Sequence, residues 1–74
     1  MRMKSWASAV EAYTSAIGHN PDFAEAYYNR GISHILSGNY SAGVADLSRA
    51  GEMGLYGAYN LIKRYRDKAL EQSK

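Results

Sequence analysis

Few side chains in this sequence are spaced for chemistry. His19 and His34 are its two histidines, and neither has a second and third ligand at metal spacing, so no metal site is expected. No serine stands in a nucleophile elbow and no pair of carboxylates is isolated on an apolar wall, so nucleophilic and general acid–base catalysis are not expected either. Gly51, Gly54 and Gly57 follow no strand and lack a P-loop lysine. They read as a helix end and turn rather than a phosphate cradle. The chain is therefore read as non-enzymatic, with no catalytic, cofactor-binding or metal residue and no cofactor.

What remains is a basic segment. Lys63, Arg64, Arg66 and Lys68 cluster near Tyr59 and Tyr65, and aromatics interleaved with cations can stack bases. The plainer reading is a solvated helix face, because Lys63 with Asp67 and Lys68 with Glu71 are spaced for ordinary helical ion pairs. Residues 56–74 carry a local charge of +3 and residues 1–55 of −1, within a formal charge of +2. That total is too small for a whole-domain polyanion binder. Nucleic-acid or anionic-surface binding through the last segment stands as the less favoured alternative.

The elements that must position these residues belong to one small domain, residues 1–74. A chain of this length buries only a little over half of its unfolded surface, and without cysteine it has no disulfide or thiolate metal site to staple it. Packing must supply the stability. No stretch approaches a membrane span and the start turns polar too soon for a secretory signal, so a soluble cytoplasmic protein is expected.

Internal repetition organises the chain. Aligning SWASAVEAYTSAIGHNPDF with NYSAGVADLSRAGEMGLYG gives a constant offset of 34, pairing Trp6 with Tyr40, Ala9 with Gly43, Val10 with Val44, Tyr13 with Leu47 and Ala16 with Ala50. Apolar residues in each segment recur at i, i+3, i+4 and i+7, one face of an α-helix. Between these helices Asn20-Pro21-Asp22 predicts a helix start, with Asn20 as N-cap and Pro21 at the first helical position. Gly38 predicts its C-cap, after which Asn39 caps the next helix. The short connection makes the two helices antiparallel neighbours. The middle helix carries two apolar stripes, Phe23, Tyr27, Gly31 and His34 on one side and Tyr28, Ile32, Ile35 and Leu36 on another. A last helix from Leu55 or Tyr56 turns Ala58, Tyr59, Ile62, Tyr65 and Ala69 inward, and its LEQSK end is expected to fray. The expected architecture is all-α, with four helices at about 5–18, 21–37, 40–53 and 56–71.

With these residues in place, the chain resembles a tetratricopeptide repeat (TPR), about one and a half repeats plus a C-terminal capping helix. The resemblance rests on the 34-residue period and on Tyr27, Gly31, Gly38, Tyr40, Leu47 and Ala50, with Trp6, Ala9, Tyr13, Ala16 and Pro21 in the preceding half unit. Departures are Gly43 for the usual alanine, Arg30 for a leucine, His34 for a tyrosine and Leu55 for the closing proline, the last of which bears on the register of the final helix. The implied fold is an α-solenoid of antiparallel helical hairpins. It answers why Gly31 sits mid-helix at a cost of roughly 1 kcal/mol against alanine: Gly31 should face Gly43 at a close helix crossing.

The family resemblance also implies a function, a helical-repeat scaffold for protein–protein interaction that takes a peptide or helix in a groove. The matching groove positions are Glu25, Tyr28, Asn29, Ile32, Ile35 and Leu36, together with Lys63. The competing structural reading makes Ile32, Ile35 and Leu36 core against the final helix. A subclass of the family grips peptide carboxylates; Asn29 and Lys63 stand at two of its positions, but Tyr59 replaces a required cation, so an intact clamp is not expected. Asn29 reads equally as a structural hydrogen bond between helices.

A repeat ordinarily begins with its first helix and this chain begins with its second, which leaves one side of Trp6, Ala9, Tyr13 and Ala16 without a partner from its own repeat. Apolar strips of that kind signal an interface, and short arrays are weakly stable, so a homodimer through this strip is expected. The remaining possibility is a purely structural role, with the last helix capping a solenoid.

Overall fold

The computed structural model describes residues 4–72 and is all-α, with helices α1 (Lys4–His19), α2 (Ala24–Leu36), α3 (Tyr40–Glu52) and α4 (Ala58–Gln72). Each helix packs chiefly on its neighbour in sequence, α1 on α2, α2 on α3 and α3 on α4. No helix among the described residues is long and apolar enough to cross a membrane.

Turn chemistry sets the helix ends, and in one place it does so differently from expectation. The Asn20 side chain accepts from the backbone N–H of Asp22 at 3.2 Å, and its carbonyl accepts from Phe23 N–H at 3.1 Å. Asn20 thus closes a local turn through Pro21 instead of capping α2, which starts at Ala24 behind Phe23 with no side-chain cap. Asn side chains bond their own backbone two residues on as readily as they cap helices. His19, expected in that loop, is the last residue of α1, with Nδ1 donating to the Ser15 carbonyl at 2.9 Å.

The two later turns share one device. Gly38 and Gly54 have positive φ, 91° and 108°. After Gly38, Asn39 N–H donates to the His34 carbonyl at 2.8 Å; after Gly54, Leu55 N–H donates to the Ala50 carbonyl at 3.0 Å. Both are left-handed C-caps that satisfy carbonyls the helix would otherwise leave unpaired. Asn39 then caps α3, its side chain accepting from Ala42 N–H at 3.4 Å. Beyond Leu55 the turn continues through Gly57, so α4 begins at Ala58 and not at 55 or 56. Its start lies one 34-residue period after Ala24, the start of α2.

Small residues dominate the core. Ala26, Ala50, Ala58 and Ala69 are buried with Ile35, and Leu47 is the one large side chain fully enclosed among the described residues. Helices with alanine and glycine at their contacts can approach closely and recover dispersion energy lost with the smaller side chains. The closest approach is between α2 and α3. A Cβ on Gly31 would stand 2.9 Å from the Gly43 carbonyl, and one on Gly43 would stand 2.8 Å from the Gly31 carbonyl and run into Ile35. Larger side chains close around the crossing, Tyr27, Tyr28, Ile32 and Tyr40 among them.

Two polar clusters tie the helices together. Arg30 makes a two-pronged contact with Asp46, Nε to Oδ2 at 2.7 Å and Nη2 to Oδ1 at 2.8 Å, while Nη1 donates to Thr14 Oγ1 at 3.1 Å. One guanidinium thereby joins α1, α2 and α3. His34 Nε2 lies 3.7 Å from Asp46 Oδ2, and the hydrogen bond to Asp46 raises the pKa of Arg30 further above its ordinary value. At the opposite end Gln72 Nε2 donates to the Gly38 carbonyl at 2.6 Å and its Oε1 accepts from Ser41 N–H at 3.1 Å. The far end of α4 is therefore fastened to the α2–α3 turn through Gln72, where fraying was expected; Ser73 and Lys74 lie outside the described residues.

Candidate functional site

The α2 and α4 helices run in the same direction, because each is antiparallel to α3 through a short turn. Both pairs of ends are brought together. Phe23 and Glu25, at the start of α2, line a common cleft with Leu55 and Gly57, just ahead of α4, and Gln72 reaches Gly38 at the other end. The 34-residue relation then places equivalent side chains on one face of each helix: Glu25, Asn29, Ile32 and Leu36 on α2, and Tyr59, Lys63, Arg66 and Leu70 on α4. All are exposed except Ile32, which is half-buried against the core.

At the N-terminal end of this face the cleft encloses about 540 Å³ and is lined by Phe23, Glu25, Tyr28, Asn29, Leu55 and Gly57. Three of the groove residues expected from sequence, Glu25, Tyr28 and Asn29, meet there. Phe23, Leu55 and Gly57 come from the flanking turns and were not expected in the groove; the turn signals around Pro21 and Gly54 were the available pointers to them. Ile35, expected in the groove, is instead 7% exposed in one cluster with Leu47, Ala50 and Ala58. It sits a turn from Gly31 on the flank that meets Gly43. Leu36, offered by the competing reading as core, is 53% exposed. Lys63 is exposed on α4 and outside the cleft lining.

The basic helix also differs from expectation. Neither Lys63–Asp67 nor Lys68–Glu71 forms an ion pair; among the described residues the ion pairs between fixed charges are Arg30–Asp46 and Arg49–Glu52. Lys68 lies over the Tyr40 ring at 5.7 Å, and that ring stacks on Tyr65 at 5.9 Å. Tyr59, expected to point inward, is 42% exposed, with its ring beneath Gly51.

The α1 strip presents a different surface. Trp6, Ala9, Tyr13 and Ala16 are each half-buried, and none of the described side chains of α1 is buried. Trp6 lines a second cleft, of about 420 Å³, with Ala7, Val10, Glu11, His34 and Ser37.

No family model and no solved structure matches the chain. It is similar to Protein SGT1 homolog of Oryza sativa subsp. japonica, 47% identical over 45 residues that make 61% of this chain and 12% of that protein. Against Protein SGT1 homolog of Bos taurus the identity is 37% over 57 residues, 77% of this chain and 17% of that protein. The Homo sapiens protein of the same name is 41% identical over 46 residues, 62% of this chain and 13% of that protein. The chain spans less than a fifth of the length of these curated relatives.

Proposed function

We propose that this chain is a non-enzymatic protein-interaction module of the TPR type, a piece of helical scaffold that takes a peptide or helix along the paired faces of α2 and α4. One observation carries the reading: α2 and α4 carry equivalent, largely exposed stripes, and the start of α2 opens on a cleft lined by aromatic, amide and carboxylate groups. A helical array uses such a face to combine several shallow contacts into one recognition surface. The glycine crossing and the 34-residue spacing of helix starts support the same reading. Selection of binding peptides from a displayed library, followed by mapping of their amide shifts, tests it. Shifts at Tyr28, Asn29, Ile32 and Lys63 are expected, whereas peptides that perturb only α1 would overturn it.

The exposure along α1 favours a second, compatible reading, in which Trp6, Ala9, Tyr13 and Ala16 join two copies as a homodimer. Sedimentation equilibrium tests this: a dimer abolished by Tyr13→Glu supports it, and a monomer throughout removes it. Lys63, Arg64 and Arg66, without ion-pair partners, keep the anionic-surface alternative beside a solenoid-capping role for α4. An oligonucleotide that fails to bind at low salt would remove the former. We place the module in the cytoplasm, in keeping with its lack of cysteine.

A further inference from the structure

We propose that the cleft at the start of α2 receives a cationic side chain, an arginine or lysine of the partner peptide, and so fixes the register of that peptide on the α2–α4 face. This rests on the peptide-binding reading above and deepens it. Among the described residues, Glu25 is the one charged residue lining the cleft, and it takes part in no ion pair. Asn29 stands one helical turn further along the same face, where its amide oxygen can accept a second hydrogen bond from the same head group. Phe23 and Tyr28 supply the two rings of the lining and Leu55 its aliphatic wall.

Carboxylate, amide and aromatic surface together match the three parts of such a side chain. Its charged head meets the acid, its remaining N–H groups meet the amide, and its methylene stem lies along the rings and Leu55. The charge of the cleft also excludes the opposite ligand. A carboxylate at this point would face Glu25 with no cation in the lining to offset it. Lys63 and Arg66 stand further along the α4 stripe, so a bound peptide would meet negative charge at one end of the face and positive charge beyond it. That polarity distinguishes the two directions in which a peptide could lie.

Three blocked peptides test the assignment, Ala-Leu-Arg-Leu-Ala and the same sequence with norleucine or glutamate replacing arginine. Each is titrated into the isotope-labelled full chain and followed by amide shifts. The arginine peptide is expected to shift Glu25, Tyr28, Asn29 and Leu55 and to bind about threefold to tenfold more tightly than the norleucine peptide, as exposed charge and cation–π contacts allow. Glu25→Gln, at an exposed position, should erase the preference for the arginine peptide over the norleucine peptide. Equal binding of the arginine and norleucine peptides, or preference for glutamate, would overturn the cationic assignment while leaving a peptide-binding face. Absence of any shift in the cleft with all three would overturn both.

Discussion

Helices α1 and α3 are the same helix twice in sequence and two different helices in space. Offset by 34, Ala9 stands for Gly43, Ala12 for Asp46, Tyr13 for Leu47 and Ala16 for Ala50. In α3 all four of these positions are buried, between α2 on one flank and α4 on the other. In α1 none is buried, because α2 covers one flank only. An amphipathic pattern specifies which side chains can be enclosed; the number of neighbouring helices decides which ones are.

The contrast can be broken most forcefully at Leu47. Leu47→Ala is expected to destabilise the fold by about 3 kcal/mol, since the site is sealed and the cavity has little room to collapse. Tyr13→Ala, its counterpart, should cost about 1 kcal/mol in the same urea titration, and equal losses would mean that α1 is as tightly enclosed as α3. Next comes the crossing. Gly43→Leu should cost about 2 to 3 kcal/mol because its first side-chain carbon already meets Ile35 and the Gly31 carbonyl, while Ala9→Leu should stay within about 0.5 kcal/mol. A thermal melt of both variants reads the difference.

The polar crossing sharpens the comparison with a smaller effect. Asp46→Ala leaves Arg30 half-buried without its carboxylate and should cost about 1 to 2 kcal/mol by urea denaturation, while Ala12→Asp at the exposed equivalent should change little. Smallest is Gln72→Ala, about 1 kcal/mol or less. It would be read best as faster hydrogen exchange at Ser41, whose N–H it leaves without the Gln72 oxygen. Unchanged exchange there would show that the Gln72 contact does not protect that amide, the Ser41 hydroxyl bond to the Ala69 carbonyl still joining the two helices.

Much of the fold was legible because it repeats. The 34-residue offset, the left-handed glycine at 38 and the Asn39 cap are local signals that tertiary packing had no reason to overrule. Asn20 misled because the same side chain serves an N-cap and an Asx turn, and only the path through Pro21 separates them. Arg30 stood out as a charge where leucine is usual, but its partner Asp46, an acid beside Leu47 on a buried stripe, was not singled out. Two opposite charges on facing stripes were the signal for their pairing, though the link spans 16 residues. Of the candidate site, the helical half, Glu25, Tyr28 and Asn29, came from what the family resemblance implied. Leu55 and Gly57 did not, because turn residues reach the cleft through the path of the backbone, and Phe23, read as part of an α2 stripe, lies just ahead of that helix and turns to the cleft instead.

Packing of each helix on the next in sequence governs how the chain finds its structure. Contacts between near neighbours along the chain close short loops, and short loops sacrifice little entropy before they are rewarded. The α2–α3 hairpin, with its three-residue turn and glycine crossing, offers the shortest such loop with the densest contact, and is the expected nucleus. From such a nucleus folding is expected to spread outward to α4 and to α1, with the bond between Gln72 and Gly38, which closes a loop of one full period, following the hairpin.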